Sequence, residues 1–290
     1  VRIPDPVGVG GVLRLLADEP EIIVGARWRD VSRELGAAGT LRSDRGQLQL
    51  RGWTGNFSAD LDAGVALGAW PRMQLRAAGT GDLRQLAVDR LRLAGPAGTV
   101  DGQGLFNYVA GLRGAFALRG RGIDPRPVDP RLAGRIDFDG QLGFDPTGNF
   151  SFQLREARGR LFDRQFRASG LVASADVGYA FDEVQVLAGA NRLDIDGIWG
   201  PALSGQFSID APDLATLWPG LEGWLRGTGT IGGTAEKPGF QLVLDGEKLG
   251  IGALRVDALR ARGGLGARNA LDLDLTASGI AVTGQQLGDL

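Results

Sequence analysis

Cysteine and histidine are both absent from this chain. Their absence removes disulfide scaffolds, thiol nucleophiles, serine-histidine triads and almost every zinc site in one step. Lysine is scarce too, so the 32 basic residues are nearly all arginine, interspersed with 34 acidic residues for a net charge of -2. That balance gives no basic stripe to follow a phosphate backbone, and nucleic acid is not an expected partner. No stretch approaches the roughly 18 uninterrupted apolar residues of a membrane-spanning helix. The opening VRIPDPVGVG has no methionine, basic n-region or apolar h-region. The chain therefore reads as an internal piece of a longer protein whose targeting and anchoring segments lie elsewhere. What is abundant is glycine, at 48 of 290 residues, without a Gly-X-Y period and beside an ordinary hydrophobic fraction of 43%. Collagen and disorder are both excluded by that combination.

Apolar residues recur with a period of two, the spacing that puts alternate side chains on opposite faces of a strand. FSADLDAGVALGA sets Phe57, Leu61 and Val65 against Ser58, Asp60, Asp62 and Gly64, and RIDFDGQLGFD sets Ile136, Phe138, Leu142 and Phe144 against Asp137, Asp139 and Gln141. The same alternation runs through Phe116 and Leu118, through Phe150, Phe152 and Leu154, through Leu193 and Ile195, and through Phe207 and Ile209. It continues at Leu242 and Leu244 and at Leu271, Leu273 and Leu275. Glycine-bearing turns such as GPAGT, DPTGN, ARGGLGARN and GGTAEKPG separate these runs every ten to fifteen residues, as in an antiparallel meander. Helix signals are few. The best is APDLATLWPG, where Asp213 is placed to cap a short turn presenting Leu214, Leu217 and Trp218.

The pentapeptide TGNFS occurs at Thr54 and again at Thr147, and looser copies, LRGAF from Leu112 and LSGQF from Leu203, keep its glycine and phenylalanine. Two interruptions, GIDPRPVDP and APDLATLWPG, are each followed by Pro-x-Leu-x-Gly, in PRLAGRI and PGLEGWL. These coincidences imply a repeat of about ninety residues, built from several strands and one short connector. Two β segments, 1–125 and 126–290, are expected to run on as one elongated domain.

Motifs that carry chemistry elsewhere have plainer readings here. GTGTIG, from Gly227, satisfies Gly-x-Gly-x-x-Gly, but Pro238 and an alternating run follow where a dinucleotide site needs a helix, so a glycine-rich turn is expected. The Asp-x-Asp pairs Asp60/Asp62, Asp137/Asp139, Asp194/Asp196 and Asp272/Asp274 share the face opposite the apolar residues. They read as a solvated outer face rather than a calcium site or a pair of catalytic acids. The six scattered tryptophans fit packing at sheet ends and core better than a sugar-stacking ladder. No cofactor, metal or enzymatic activity is expected.

From Ala211 to Val282 the chain resembles the repeats of the TamB family, large translocation and assembly module proteins of Gram-negative bacteria in the AsmA-like superfamily. The resemblance rests on Asp213, Leu214, Leu217, Pro219, Leu221, Gly223, Gly227, Gly233, Thr234 and Pro238, in a pattern of the form DL..L.PGL.G.L.G.G...GT...P. It is looser from Ile123 to Asp210 and extends to residues 1–120 by continuity. The resemblance implies an all-β, long, curved, taco-like antiparallel sheet with an apolar inner face and very little helix. It also implies a periplasmic segment of an inner-membrane-anchored protein that meets a TamA-like outer-membrane partner.

A sheet so apolar on one face, with almost no helix to cover it, must curl on itself, and an incomplete curl leaves an apolar trough. Together with the resemblance, this leads to an expected phospholipid-binding trough lined by the alternating residues from Phe57 to Leu275 named above, serving outer-membrane assembly and secretion. Three alternatives stand beside it. They are a groove that pairs with strands of unfolded outer-membrane proteins, a secreted β-solenoid adhesin or sugar-binding module, and an outer-membrane barrel, for which two tyrosines make a poor aromatic belt.

Overall fold

Antiparallel strands joined by short turns account for nearly all of the described residues. The structure, a computed structural model, describes residues 8–14, 21–34, 39–175, 178–218, 220–265, 271–282 and 285–288. Residues 1–7 of the opening stretch, Pro219 of PGLEGWL, and residues 266–269 of the turn ARGGLGARN lie outside them. The chain divides into two compact units, Val1–Phe150 and Ser151–Leu290.

The first unit is a meander of β1 (Gly8–Arg14), β2 (Glu21–Glu34), β3 (Thr40–Trp53), β4 (Asn56–Leu67), β5 (Met73–Gly81), β6 (Gln85–Gly95), β7 (Gly98–Asn107), β8 (Arg113–Ile123) and β9 (Gly134–Phe144). Each strand pairs antiparallel with the next. The second unit continues with β10 (Phe150–Leu161), β11 (Arg164–Ala175), β12 (Gly178–Ala188), β13 (Asn191–Trp199), β14 (Ala202–Ala211), β15 (Leu221–Thr234), β16 (Pro238–Ile251), β17 (Leu254–Leu265) and β18 (Leu271–Ser278). These too pair in sequence. Two short strands, β19 (Ile280–Val282) beside β17 and β20 (Gln285–Gly288) beside β19, finish it. Among the described residues no pairing joins the first strand of either unit to its last, so the strands of neither unit close into a barrel.

The repeat suggested by sequence has a structural counterpart of six strands. TGNFS forms the turn between β3 and β4 and again between β9 and β10, while LRGAF and LSGQF lead into or lie within β8 and β14. Among the described residues each unit also has an irregular connector, residues 124–133 after β8 and residues 212–218 after β14. Both connectors dock on the turn between the two strands before the last. The Asp124 N–H donates to the Ala97 carbonyl at 3.0 Å. The Asp213 N–H donates to Asn191 Oδ1, also at 3.0 Å. The repeated phrases therefore mark the same corners of a unit about ninety residues long.

Two local expectations are corrected. Helix is confined, among the described residues, to a 3-10 turn at Leu214–Thr216, and the Asp213 side chain makes no capping hydrogen bond to it. The turn is held by Asn191, which is fully buried and donates through Nδ2 to the carbonyls of Ala188 (3.1 Å) and Asp213 (2.7 Å) and to Thr216 Oγ1. GTGTIG is not a turn but the interior of β15. Its glycines are needed by neighbouring strands: a Cβ on Gly229 would lie 2.3 Å from the Phe207 ring, and one on Gly227 would lie 2.5 Å from Leu244 Cδ2.

Candidate functional site: one apolar sheet face in each unit

Residues paired across an antiparallel ladder project to the same side, so the register sorts the whole sheet into two faces. In the first unit one row reads Leu48, Leu61, Ala77, Leu91, Gly102, Leu118 and Gly140 from β3 to β9. A neighbouring row reads Leu50, Ala59, Gly79, Val88, Gly104, Phe116 and Leu142. Strand alternation adds Phe57 and Val65 to this face from β4 and Ile136, Phe138 and Phe144 from β9. In the second unit a row reads Val184, Ile195, Phe207, Gly229, Leu242, Gly263 and Leu273. The next reads Val186, Leu193, Ile209, Gly227, Leu244, Ala261 and Leu275, with Leu271 following on β18. Phe152 and Leu154 join it from β10, through Val172 and Gly170. Phe150, two positions before Phe152, has the same phase.

Glycine explains how aromatic rings fit on such a face. Phe144 lies over Gly114, Phe138 over Gly120, Phe116 over Gly104 and Phe207 over Gly229; a Cβ on any of these glycines would come within 2.2–2.5 Å of the ring. Each ring lies across the neighbouring strand, the pairing by which aromatics cover strand glycines. Three rings form a cluster, with Phe106 and Phe116 edge to face at 4.8 Å between centroids and Phe144 stacked parallel to Phe116 at 6.4 Å. Trp28 covers Gly46 in the same way, its Nε1 donating to Ser43 Oγ at 2.8 Å.

Burial on this face is incomplete. Phe57 and Phe116 are buried, most of the remaining residues are half-buried, and Phe150, Leu271 and Leu275 are 36%, 65% and 43% exposed. Leu271 and Leu275 stand on β18, near the end of the meander. Apart from the one 3-10 turn, no helix among the described residues covers either face.

The opposite face is charged and paired. A row from β4 to β9 reads Asp62, Arg76, Arg92, Asp101, Arg119 and Asp139. Ion pairs join Asp62 to Arg76 (3.3 Å), Arg92 to Asp101 (3.5 Å) and Arg119 to Asp139 (3.1 Å). In the second unit Arg192, Asp210, Arg226, Asp245 and Arg260 alternate in sign along one row, with Asp210–Arg226 and Asp245–Arg260 pairs at 3.0 Å. Asp194, from one Asp-x-Asp pair, is drawn down to about pKa 2 by its hydrogen bond from Arg192, with Gln185 and Ser208 also donating. Arginine partners thus occupy several of these carboxylates, and no group of three acidic residues among the described residues is placed to hold a metal ion.

Two concavities are lined by residues of both phases. One of about 910 Å³ in the second unit is lined by Gln185, Asp194, Gln206, Ser208, Thr228 and Gln241 and, between them, by Val184, Ile195, Phe207, Gly229, Leu242 and Gly263 of the apolar row. Another of about 300 Å³ in the first unit is lined by Ile23, Arg27, Gln47, Gln49 and Arg51 among others. The apolar side offers a broad surface defined by register.

Several residues of the apolar face have no counterpart in the sequence-based set, among them Leu48, Leu50, Val88, Leu91, Phe106 and Val186. With the geometry established, comparison with known proteins gives a family: the model described as "TamB, N-terminal domain" aligns with residues 9–290. No curated protein and no solved structure matches the chain significantly. The family match reaches well beyond Ala211 to Val282, where the sequence motifs are clearest.

Proposed function

The chain belongs to the TamB family, and from that premise we propose that it is a non-enzymatic periplasmic segment whose apolar sheet face carries phospholipid acyl chains between the inner and outer membranes. The observation that carries this reading is the apolar face itself, continuous through the register of each unit, only partly buried and covered by no helix among the described residues. A soluble sheet normally covers such a face with a second layer, and large exposed apolar surfaces mark binding sites. An acyl chain of about 16 carbons laid along it would gain on the order of 10 kcal/mol from methylene burial. Its head group could stay in water above the half-buried side chains. Repetition supplies similar sites in succession, which movement along the sheet requires and catalysis does not. In this reading the lipid is passed toward a TamA-like outer-membrane partner in support of outer-membrane assembly.

Mass spectrometry of lipids retained by the purified chain tests the proposal. Photo-crosslinkers at Leu61, Phe138, Phe152 and Leu273 are expected to capture phospholipid in cells, whereas those at Asp60, Asp137, Ser151 and Asp272 are not. Equal labelling of both sets, or a chain purified without lipid, would overturn it.

A further inference from the structure

We infer that three arginines on the hairpin of β10 and β11 form a site for a phosphate group. The segment Arg155–Arg167 carries five arginines against Glu156 and Asp163, a net charge of +3 in a chain whose total is -2. Register gathers three of the arginines on one face. Arg158 lies directly opposite Arg167, and Arg160 lies directly opposite Gln165, two residues further along each strand. All four are exposed, whereas Ala157 and Leu161, on the alternate phase of β10, are buried.

Like charges directly opposite one another on a ladder repel. Arg76 and Arg92 are also opposed, but Asp62 and Asp101 pair with them from the strands on either side. The β10–β11 hairpin has no such relief. Beyond Arg167 stands Leu187 of β12, and Arg167 has no ion pair or side-chain hydrogen bond among the described residues. Arg158 has Glu156 at 3.9 Å, the outer limit of an ion pair. Arg160 donates to the backbone carbonyl of Asp163 at 2.9 Å, while the Asp163 carboxylate joins no ion pair among the described residues. Asp137 and Asp139, on the strand that precedes the hairpin in the chain, accept from the Gly122 N–H and from Arg119.

Size and charge identify the ligand. Opposed residues have Cβ atoms about 5 Å apart and residues two apart on a strand are separated by about 7 Å, so three guanidinium groups converge on a patch the width of one phosphate with its hydrogen-bonding shell. Planar guanidinium groups meet phosphate oxygens in bidentate pairs. A phosphate monoester carries a charge of about -1.5 to -2 at pH 7, which the surplus on this hairpin neutralises, and Gln165 adds an amide donor. A lone carboxylate, with one charge and two oxygens, would leave arginine unmatched. The site lies on the phase opposite the apolar face and does not require that face to carry lipid.

Calorimetric titration of the whole chain with inorganic phosphate at fixed ionic strength tests the site, with chloride as the matched control. Phosphate is expected to bind and chloride not. Arg158→Gln and Arg167→Gln should each weaken phosphate binding about tenfold or more. Arg260→Gln, an equal loss of charge from the pair with Asp245, should leave it unchanged. Circular dichroism checks that each variant folds. Cosedimentation with phosphatidylcholine vesicles containing phosphatidic acid separates two sources of the same group. Retention that inorganic phosphate reverses would assign a lipid head group, and phosphate binding without retention would assign a soluble phosphate compound. Phosphate bound no better than chloride, full affinity in Arg167→Gln, or equal weakening by Arg260→Gln would overturn the inference.

Discussion

Phe138 and Gly120 show the smallest unit of this architecture, a ring laid over a glycine on the next strand. Gly120→Ala would bring a methyl within 2.2 Å of that ring. The expected cost is about 1–3 kcal/mol, the usual penalty of overpacking. Urea unfolding of Gly120→Ala and of Gly120→Ala/Phe138→Leu checks the cause, because the second change should restore much of the loss. Asn191 works differently, by satisfying both backbone groups of Asp213 from a fully buried site. Asn191→Ala leaves the Asp213 N–H unpaired, while the Asp213 carbonyl keeps the Thr216 N–H and hydroxyl, and should cost about 1–3 kcal/mol, with hydrogen exchange accelerated first around residues 213–217. Neither device was readable in the sequence. Glycine abundance was obvious, but which glycine faces which ring depends on register, and Asn191 has partners more than twenty residues away.

Strands and their polarity were legible wherever acids alternate with large apolar residues, as in β4, β9, β13 and β18. They were obscured where a bulge changes the parity. On β6 the register slips between Val88 and Leu91, so apolar-face residues are even-numbered before the bulge and odd-numbered after it. A strict period of two cannot follow that slip. On β7 the apolar face is Val100, Gly102, Gly104 and Phe106, and two glycines leave almost no pattern to read. The same effect disguised β15, whose glycines suggested a turn. The connector after β8 was recognised as an interruption, but its anchoring was not. Asp124 accepts hydrogen bonds from the side chain and backbone of Arg126, which hold its pKa near 2. A carboxyl depressed in the fold stabilises it above the unfolded pKa of about 4, and that contribution disappears as pH falls through about 2. Thermal melts from pH 6 to pH 2 should therefore show Asp124→Asn less stable than wild type at pH 6, with the difference shrinking toward pH 2. A constant difference would assign the effect to shape instead of charge.

At the scale of the molecule, the question is whether the apolar face is a core or a road. Its partial burial and the lack of a covering helix among the described residues favour the second, and substitution with arginine distinguishes them. A charge facing acyl chains costs roughly 2–4 kcal/mol at fully apolar depth, so Phe138→Arg or Leu273→Arg should obstruct lipid movement. Both side chains are half-buried, and Leu273 faces Gly263 on β17. On an open face an arginine can lift its head toward water along its apolar stem, so the sheet should still fold. In a closed core it could not, and the variants would be lost to proteolysis. Asp137→Arg and Asp272→Arg, on the solvated face, should be nearly silent. The measurement is outer-membrane integrity in cells carrying each variant in the full-length protein, scored beside protein level and protease resistance. Intact membranes with Phe138→Arg/Leu273→Arg, at normal protein level, would defeat the conduit. Leaky membranes with a folded variant would support it, because the change then acts on what passes over the face rather than on the face's ability to form.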